Sequence, residues 1–266
     1  MKKIFDKVAI VTKPGFSPAE KLGKDICSKM KALGFKLHLD DGPVLPSDIR
    51  TGEIDLAVIV GGDGTILSTS RRLDSKTAIL GIALGGRGIL SEVKPEGIDR
   101  AFDLLAKGHF SVENRIRLQV STEEMSFPPA LNEVYMVRQE YNVTPTYKIS
   151  CGNRFNLEQR MDGIMISTPT GSTGHSYTLG APIIAEDLDA ILLTPVCATP
   201  SLHPIVLPPQ EIVIESEQAS VIVVDGQGVF KGEGKTPIRV DKCLENILFV
   251  RFSDKKLRQL SNLGTI

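Results

Sequence analysis

Val58-Ile59-Val60-Gly61-Gly62-Asp63-Gly64-Thr65-Ile66-Leu67 is the stretch that decides how this 266-residue chain folds. The run from Ile54 to Val60 is apolar at nearly every position and rich in β-branched residues, as a strand buried on both faces requires. Three glycines within four positions then break it, and a helix-like segment follows. Glycine lets the backbone turn sharply and lets a ligand approach main-chain N–H groups. A helix N-terminus adds partial positive charge, which favours phosphate. Asp63 does not suit a turn that only binds anions, because its charge repels them. It suits a turn in which a carboxylate acts on a hydroxyl, or beside a magnesium ion, next to phosphates. The plain structural alternative is a tight turn in which Asp63 only caps the helix.

Outward from this turn, strand and helix signals alternate. Val8 to Val11 reads as a strand. Ser17-Pro18-Ala19-Glu20 reads as a helix start, with Ser17 as cap, Pro18 in the first turn and Glu20 completing a capping box. Gly34 is the expected stop. Phe35 to Leu39 and Ala78 to Ala83 read as strands, and Pro95 to Lys107 as a helix ending at Gly108. Alternation of this kind predicts a Rossmann-like parallel α/β domain over residues 1–108. Beyond Gly108 the runs are short and alternating: Arg115 to Val120, Glu133 to Arg138, Thr146 to Ile149, Gly163 to Ser167, Ile212 to Glu215 and Val221 to Val224. They predict an antiparallel β-rich sandwich domain over residues 109–240, interrupted by one helical segment near Thr173 to Leu179.

Composition narrows the function classes. Lys and Arg number 31 against 32 Asp and Glu, a net charge of −1, which gives no bulk attraction to nucleic acid or to an anionic membrane. No apolar run approaches the ~20 residues of a membrane span, and the start, Met1-Lys2-Lys3-Ile4-Phe5-Asp6, lacks a signal-peptide pattern. The expectation is a cytoplasmic protein. Cys27, Cys151, Cys197 and Cys243 form no C-x-x-C pair and have no histidine at ligand spacing, so four reduced, mostly buried thiols and no metal-ligand set are expected. His38, His109 and His203 show no partner pattern, and Lys255-Lys256-Leu257-Arg258 reads as a solvated helix face.

Two familiar phosphate motifs are absent. Gly62 and Gly64 are followed by Leu67 where a third glycine would complete G-x-G-x-x-G, and Gly234-Lys235-Thr236 lacks the first glycine of a Walker A loop, that place being Val229. A second glycine-rich turn, Leu84-Gly85-Gly86-Arg87-Gly88-Ile89-Leu90, follows a strand, so Arg87 could pair with phosphate. A third cluster runs from Asp162-Gly163 through Ser167-Thr168-Pro169-Thr170-Gly171-Ser172-Thr173-Gly174-His175-Ser176. Its small hydroxyl donors near a helix start suit the sugar and phosphates of a nucleotide. No G-x-S-x-G elbow supports a Ser–His nucleophile there.

In this order, the clusters resemble the NAD kinase family. The pieces are Gly61-Gly62-Asp63-Gly64-Thr65, Leu84-Gly85 with Gly88, Asn132-Glu133, the Thr168-to-Thr173 run, Gly180-Ala181-Pro182, Leu193-Thr194-Pro195 and Asp225-Gly226-Gln227. The resemblance implies transfer of a phosphoryl group from ATP, or from polyphosphate, to the 2′-hydroxyl of the adenosine ribose of NAD, with Mg2+ or another divalent cation accompanying ATP. It implies Asp63 as the catalytic residue. It implies nucleotide binding by Gly61, Gly62, Gly64, Thr65, Asn132, Glu133, Arg160, Asp162, Thr170, Thr173, Gly174, His175, Thr178 and Gln227. It also implies a C-terminal segment, residues 241–266, returning to the first domain, and a homo-oligomer, dimer or tetramer. Gly174-His175 stands where the family usually has Ala-Tyr. The competing readings are a related kinase acting on another hydroxyl and a nucleotide-binding regulator without catalysis.

Overall fold

The computed structural model describes residues 4–39, 42–50, 52–85, 88–253 and 258–263. The chain begins with β1 (Lys7–Thr12), α1 (Ser17–Ala32), β2 (Lys36–Leu37), β3 (Leu56–Gly61), α2 (Asp63–Ser70), β4 (Ala78–Ala83), α3 (Ile98–Ala106) and β5 (Ser111–Arg115). There follow β6 (Leu118–Ser121), β7 (Glu133–Arg138), β8 (Thr146–Cys151), β9 (Phe155–Arg160), β10 (Gly163–Ser167) and α4 (His175–Thr178). Then come β11 (Ile191–Val196), β12 (Ile205–Leu207), β13 (Ile212–Ser216), β14 (Ser220–Val224), β15 (Gly228–Gly232) and β16 (Ile238–Lys242). The described chain closes with β17 (Ile247–Arg251) and α5 (Arg258–Leu263).

Two units result, one up to Arg115 and again from Glu245 onward, the other Ile116–Leu244. In the first, one sheet has the order β2-β1-β3-β4-β17-β5. Pairing is parallel through β1, β3, β4 and β17, and only β5 runs antiparallel. Every residue of β3 is buried, as its unbroken apolar run requires. The core joins Val8, Ile10, Val58 and Leu80 of the strands to Ile26 and Met30 of α1 and Phe102 of α3. Gly34 and Gly108 stand at φ +76° and +73°, the left-handed geometry that ends a helix.

The second unit is a sandwich of two antiparallel sheets, β12-β11-β10-β7-β14-β15 and β6-β16-β13-β8-β9. Its core draws Met136, Ile164 and Ile222 from one sheet and Val120, Ile149 and Ile214 from the other. Alternate residues of β13 and β14 are buried, so one face of each strand meets the core.

Several local expectations shift. Ser17 is the first residue of α1 and Phe16 occupies the cap without a side-chain bond, because the helix begins one residue early at Ser17-Pro18. The strand read over Phe35–Leu39 shortens to Lys36–Leu37, which pairs only with β1. The helix read from Pro95 opens as a 3-10 turn, Pro95–Gly97, before α3. The segment near Thr173 divides into a 3-10 turn, Thr170–Thr173, and the short α4. Arg115 to Val120 is not one strand. Arg115 closes β5 in the first unit, while Leu118 opens β6 in the second, so the units divide after Arg115 rather than near residue 108. Likewise β16 stays with the sandwich and the return begins at Glu245, not residue 241. Cys27 and Cys151 are buried, but Cys243 is half-buried and Cys197 exposed. Arg258 is buried against Glu92 rather than solvated, at 2.6 Å, while Lys255, Lys256 and Leu257 lie outside the described residues. Among the described residues no helix is long and apolar enough to cross a membrane.

Candidate active site

In the first unit, β3 runs into α2 through the glycine turn, as the sequence predicts. A Cβ on Gly61 would fall 2.6 Å from Thr65 Oγ1, so glycine there lets the buried Thr65 pack onto the strand end. Among the described residues nothing lies within 4 Å of a Cβ built on Gly62, which leaves that side of the turn open to a ligand. Gly64, the next residue of the turn, is exposed. Asp63 is the first residue of α2, yet it does not cap it. Its Oδ2 accepts from the Ile89 amide at 2.9 Å and its Oδ1 from the Leu90 amide at 3.0 Å. The carboxylate is therefore held by the second glycine-rich turn, with its direction fixed by two main-chain donors. Gly85 and Gly88 shape that turn at φ +76° and +36°. Arg87, expected to face phosphate, lies outside the described residues.

In the second unit the sandwich brings Asn132, Glu133, Gly171, Gly174 and Asp225 together. Asp225 sits at φ +50° in the β14–β15 turn, before Gly226 at φ +65°. Its carboxylate accepts from the Leu131 amide at 3.1 Å, the Asn132 amide at 2.7 Å and the Glu133 amide at 3.3 Å. The Thr168–Thr173 run folds against the same segment. The Thr168 hydroxyl donates to the Leu131 carbonyl at 2.6 Å, and the Thr168 amide donates to the Asn132 carbonyl. A Cβ on Gly171 would lie 2.1 Å from the Asn132 carbonyl oxygen, so only glycine fits. A Cβ on Gly174 would lie 3.3 Å from Glu133 Oε2.

Two atoms in this cluster are left over. Asn132 Oδ1 and Glu133 Oε2 are buried without a hydrogen-bond partner among the described residues. Burial, reinforced by the charge of Asp225, pushes the Glu133 carboxyl up to about 8. At neutral pH it is a neutral acid able to donate as well as accept. Such a pair can take up hydroxyl or amide groups of a polar ligand, relieving an unfavourable burial.

The chain matches known families over the segments that carry both clusters. The ATP-NAD kinase C-terminal domain matches residues 131–252 and the N-terminal domain residues 45–110. A relative named NAD kinase from Clostridium beijerinckii is 33% identical over 212 residues, 76% of this chain and 75% of that protein. The chain belongs to the NAD kinase family. Another relative of that name, from Thermococcus sibiricus, is 29% identical over 262 residues, covering 94% of this chain and 95% of its own. The crystal structure of an NAD kinase from Archaeoglobus fulgidus in complex with ATP superposes with a TM-score of 0.78 at 25% identity, over 97% of each chain.

The other sequence-derived candidates fall in different surroundings. The hydroxyls of the third cluster are largely committed inside the fold. Ser167 and Ser176 bond to each other at 2.6 Å, and Ser172 donates to the Pro169 carbonyl at 2.7 Å. Thr170 and Thr173 are buried. Thr178 is exposed and donates to the His175 carbonyl at 2.7 Å. The exposed His175 ring lies against Tyr135, centroids 5.7 Å apart. Asp162 pairs with Arg138 at 3.2 Å beyond the far end of β10 from Ser167, and Arg160 is exposed at the end of β9. Gln227 is exposed on the turn that carries Asp225. Tyr135 and Asp225 are the residues that motif reading left without a role. Asp225 stood in a quoted motif, but its three amide contacts are more than ninety positions away.

Proposed function

We propose that this chain transfers the γ-phosphoryl group of ATP to the 2′-hydroxyl of the adenosine ribose of NAD, forming NADP. The observation that carries this reading is the Asp63 carboxylate. It sits at the N-terminus of α2, its helix does not use it, and the Ile89 and Leu90 amides fix its direction. Each oxygen keeps a lone pair, so Asp63 can accept the ribose hydroxyl and orient it for in-line attack. A ribose hydroxyl is a poor acid, so positioning contributes more than proton removal. The open face at Gly62 lets phosphate oxygens approach main-chain donors at the start of α2. Asn132 and Glu133 hydrogen-bond the sugar or base of the dinucleotide, and His175 stacks on a base while Tyr135 supports its ring. Arg160, Asp162, Thr170, Thr173, Gly174, Thr178 and Gln227 complete the nucleotide-binding set in this reading.

A divalent cation, magnesium by preference, accompanies ATP and neutralises charge on its phosphates. Among the described residues no three His, Cys, Asp or Glu side chains converge as a metal site, and phosphate oxygens are the donors this reading gives the ion. A homodimer or homotetramer in the cytoplasm belongs to the same reading.

The test combines purified chain, Mg2+, ATP and NAD, with NADP read by an NADP-specific dehydrogenase. NADP formation supports the reading, and nucleotide binding without turnover defeats it. Asp63→Asn should lower kcat at least a hundredfold. It turns an amide group toward one of two main-chain donors, so it also weakens the turn by about 1–3 kcal/mol. A folded variant with a near-normal rate removes Asp63 from the mechanism.

A further inference from the structure

The main chain of Leu90 is held on both sides of its Cα. Its N–H donates to Asp63 Oδ1 at 3.0 Å, and its carbonyl accepts from Arg251 Nη1 at 3.1 Å. Arg251 is 3% exposed at the end of β17. Its Nε donates to Glu113 Oε2 at 2.5 Å, and Nη1 lies 3.5 Å from Glu92 Oε2. Both acids are themselves anchored. Glu113 also holds Arg115 at 2.7 Å, and Glu92 accepts the Phe252 amide at 2.9 Å and Arg258 at 2.6 Å. Burial raises the Glu113 carboxyl, but the Arg251 and Arg115 guanidiniums outweigh it and hold it below the usual range.

We propose that Arg251 is a positioning residue for Asp63, fixing the carboxylate through the main chain of Leu90. The inference rests on the functional reading above, in which Asp63 orients the attacking hydroxyl. The Asp63 contacts to Ile89 and Leu90 set its direction only if that turn is itself immobile. Leu90 follows Gly88, which stands at positive φ, and an anchor on its main chain adds stiffness to a glycine-rich segment. A buried guanidinium supplies that stiffness. Its planar fork serves the carbonyl and two carboxylates at once, which a lysine ammonium cannot reproduce. The C-terminal strand is thereby tied to the glycine turn in the same unit, through β17 beside β4.

The test uses Arg251→Lys, which keeps the charge and loses the fork. Arg258→Lys serves as the comparison, since Arg258 shares Glu92 but does not touch the Leu90 carbonyl. Expected is a kcat for Arg251→Lys lowered about tenfold to a hundredfold, with KM for ATP and NAD within twofold. Arg258→Lys should lose thermal stability yet keep kcat. The second readout needs no turnover. Amide hydrogen exchange at Leu90 should speed at least tenfold in Arg251→Lys, while amides of β1 and β3 stay protected. Should Arg251→Lys not fold, Glu113→Gln loosens the same guanidinium and should give a smaller kcat loss with faster Leu90 exchange. Unchanged kcat and unchanged Leu90 exchange in a folded variant overturn the proposal, as does an equal kcat loss in Arg258→Lys. A wild-type chain that forms no NADP defeats the functional reading instead, and the exchange measurement then decides the Asp63–Leu90–Arg251 linkage by itself.

Discussion

Replacing Glu133 by Gln should make this protein more stable at neutral and alkaline pH while leaving it unchanged near pH 4.5. Glu133 is 7% exposed, its Oε2 has no partner among the described residues, and burial plus the Asp225 charge raise its carboxyl to about 8. In the unfolded chain the group ionises near 4.5, its ordinary value. Between those two values the folded state holds one proton more than the unfolded state. Raising the pH therefore favours unfolding by about 1.4 kcal/mol per pH unit. By pH 8 the accumulated loss is about 4 kcal/mol, and above that both states are ionised and the slope disappears. Glutamine has nearly the shape and hydrogen-bonding capacity of the neutral acid but does not titrate. Denaturant unfolding of both proteins at pH 5, 6, 7, 8 and 9 isolates the effect, since every other group cancels in the difference. The stability difference should grow steadily from pH 5 to 8 and then level off. Two parallel stability curves would show that Glu133 ionises in the folded protein much as it does in the unfolded chain.

Gly171→Ala should destabilise by about 3 kcal/mol or more, because the new methyl would meet the Asn132 carbonyl oxygen at 2.1 Å; thermal unfolding checks it, and an unchanged midpoint would deny that close approach. His175→Ala should raise KM for NAD about fivefold with kcat little altered, stacking being worth about 1 kcal/mol; steady-state kinetics decide, and an unchanged KM puts the ring outside the site.

The glycine turn was legible because its signals are local. A buried strand shows as an unbroken apolar run, and three glycines within four positions show as a turn. The sandwich was legible from period-two alternation in β13 and β14. Short or edge strands such as β2, β12 and β15 carry weak patterns, and their partners complete them. Arg115 and Arg117 are charged yet both are buried, and no local pattern shows it; Arg115 lies opposite Ile247 in the β5–β17 pair, more than a hundred positions along the chain. The Thr168–Thr173 hydroxyls read as ligand donors, and several instead satisfy main-chain groups of the fold.

By itself, then, the sequence determined the two-part architecture, the helix that follows β3, and the placement of Asp63 at its start. Those features depend on neighbours a few positions apart, whose steric and hydrophobic preferences operate in any context. Tertiary structure alone decided what each carboxylate does. Asp63 reaches Leu90 across 27 positions, Asp225 reaches Asn132 across 93, and Arg251 reaches Leu90 across 161. Contacts of that range exist only once the sheets have closed, because a hydrogen bond or an ion pair is set by distance in space and leaves no periodic trace along the chain.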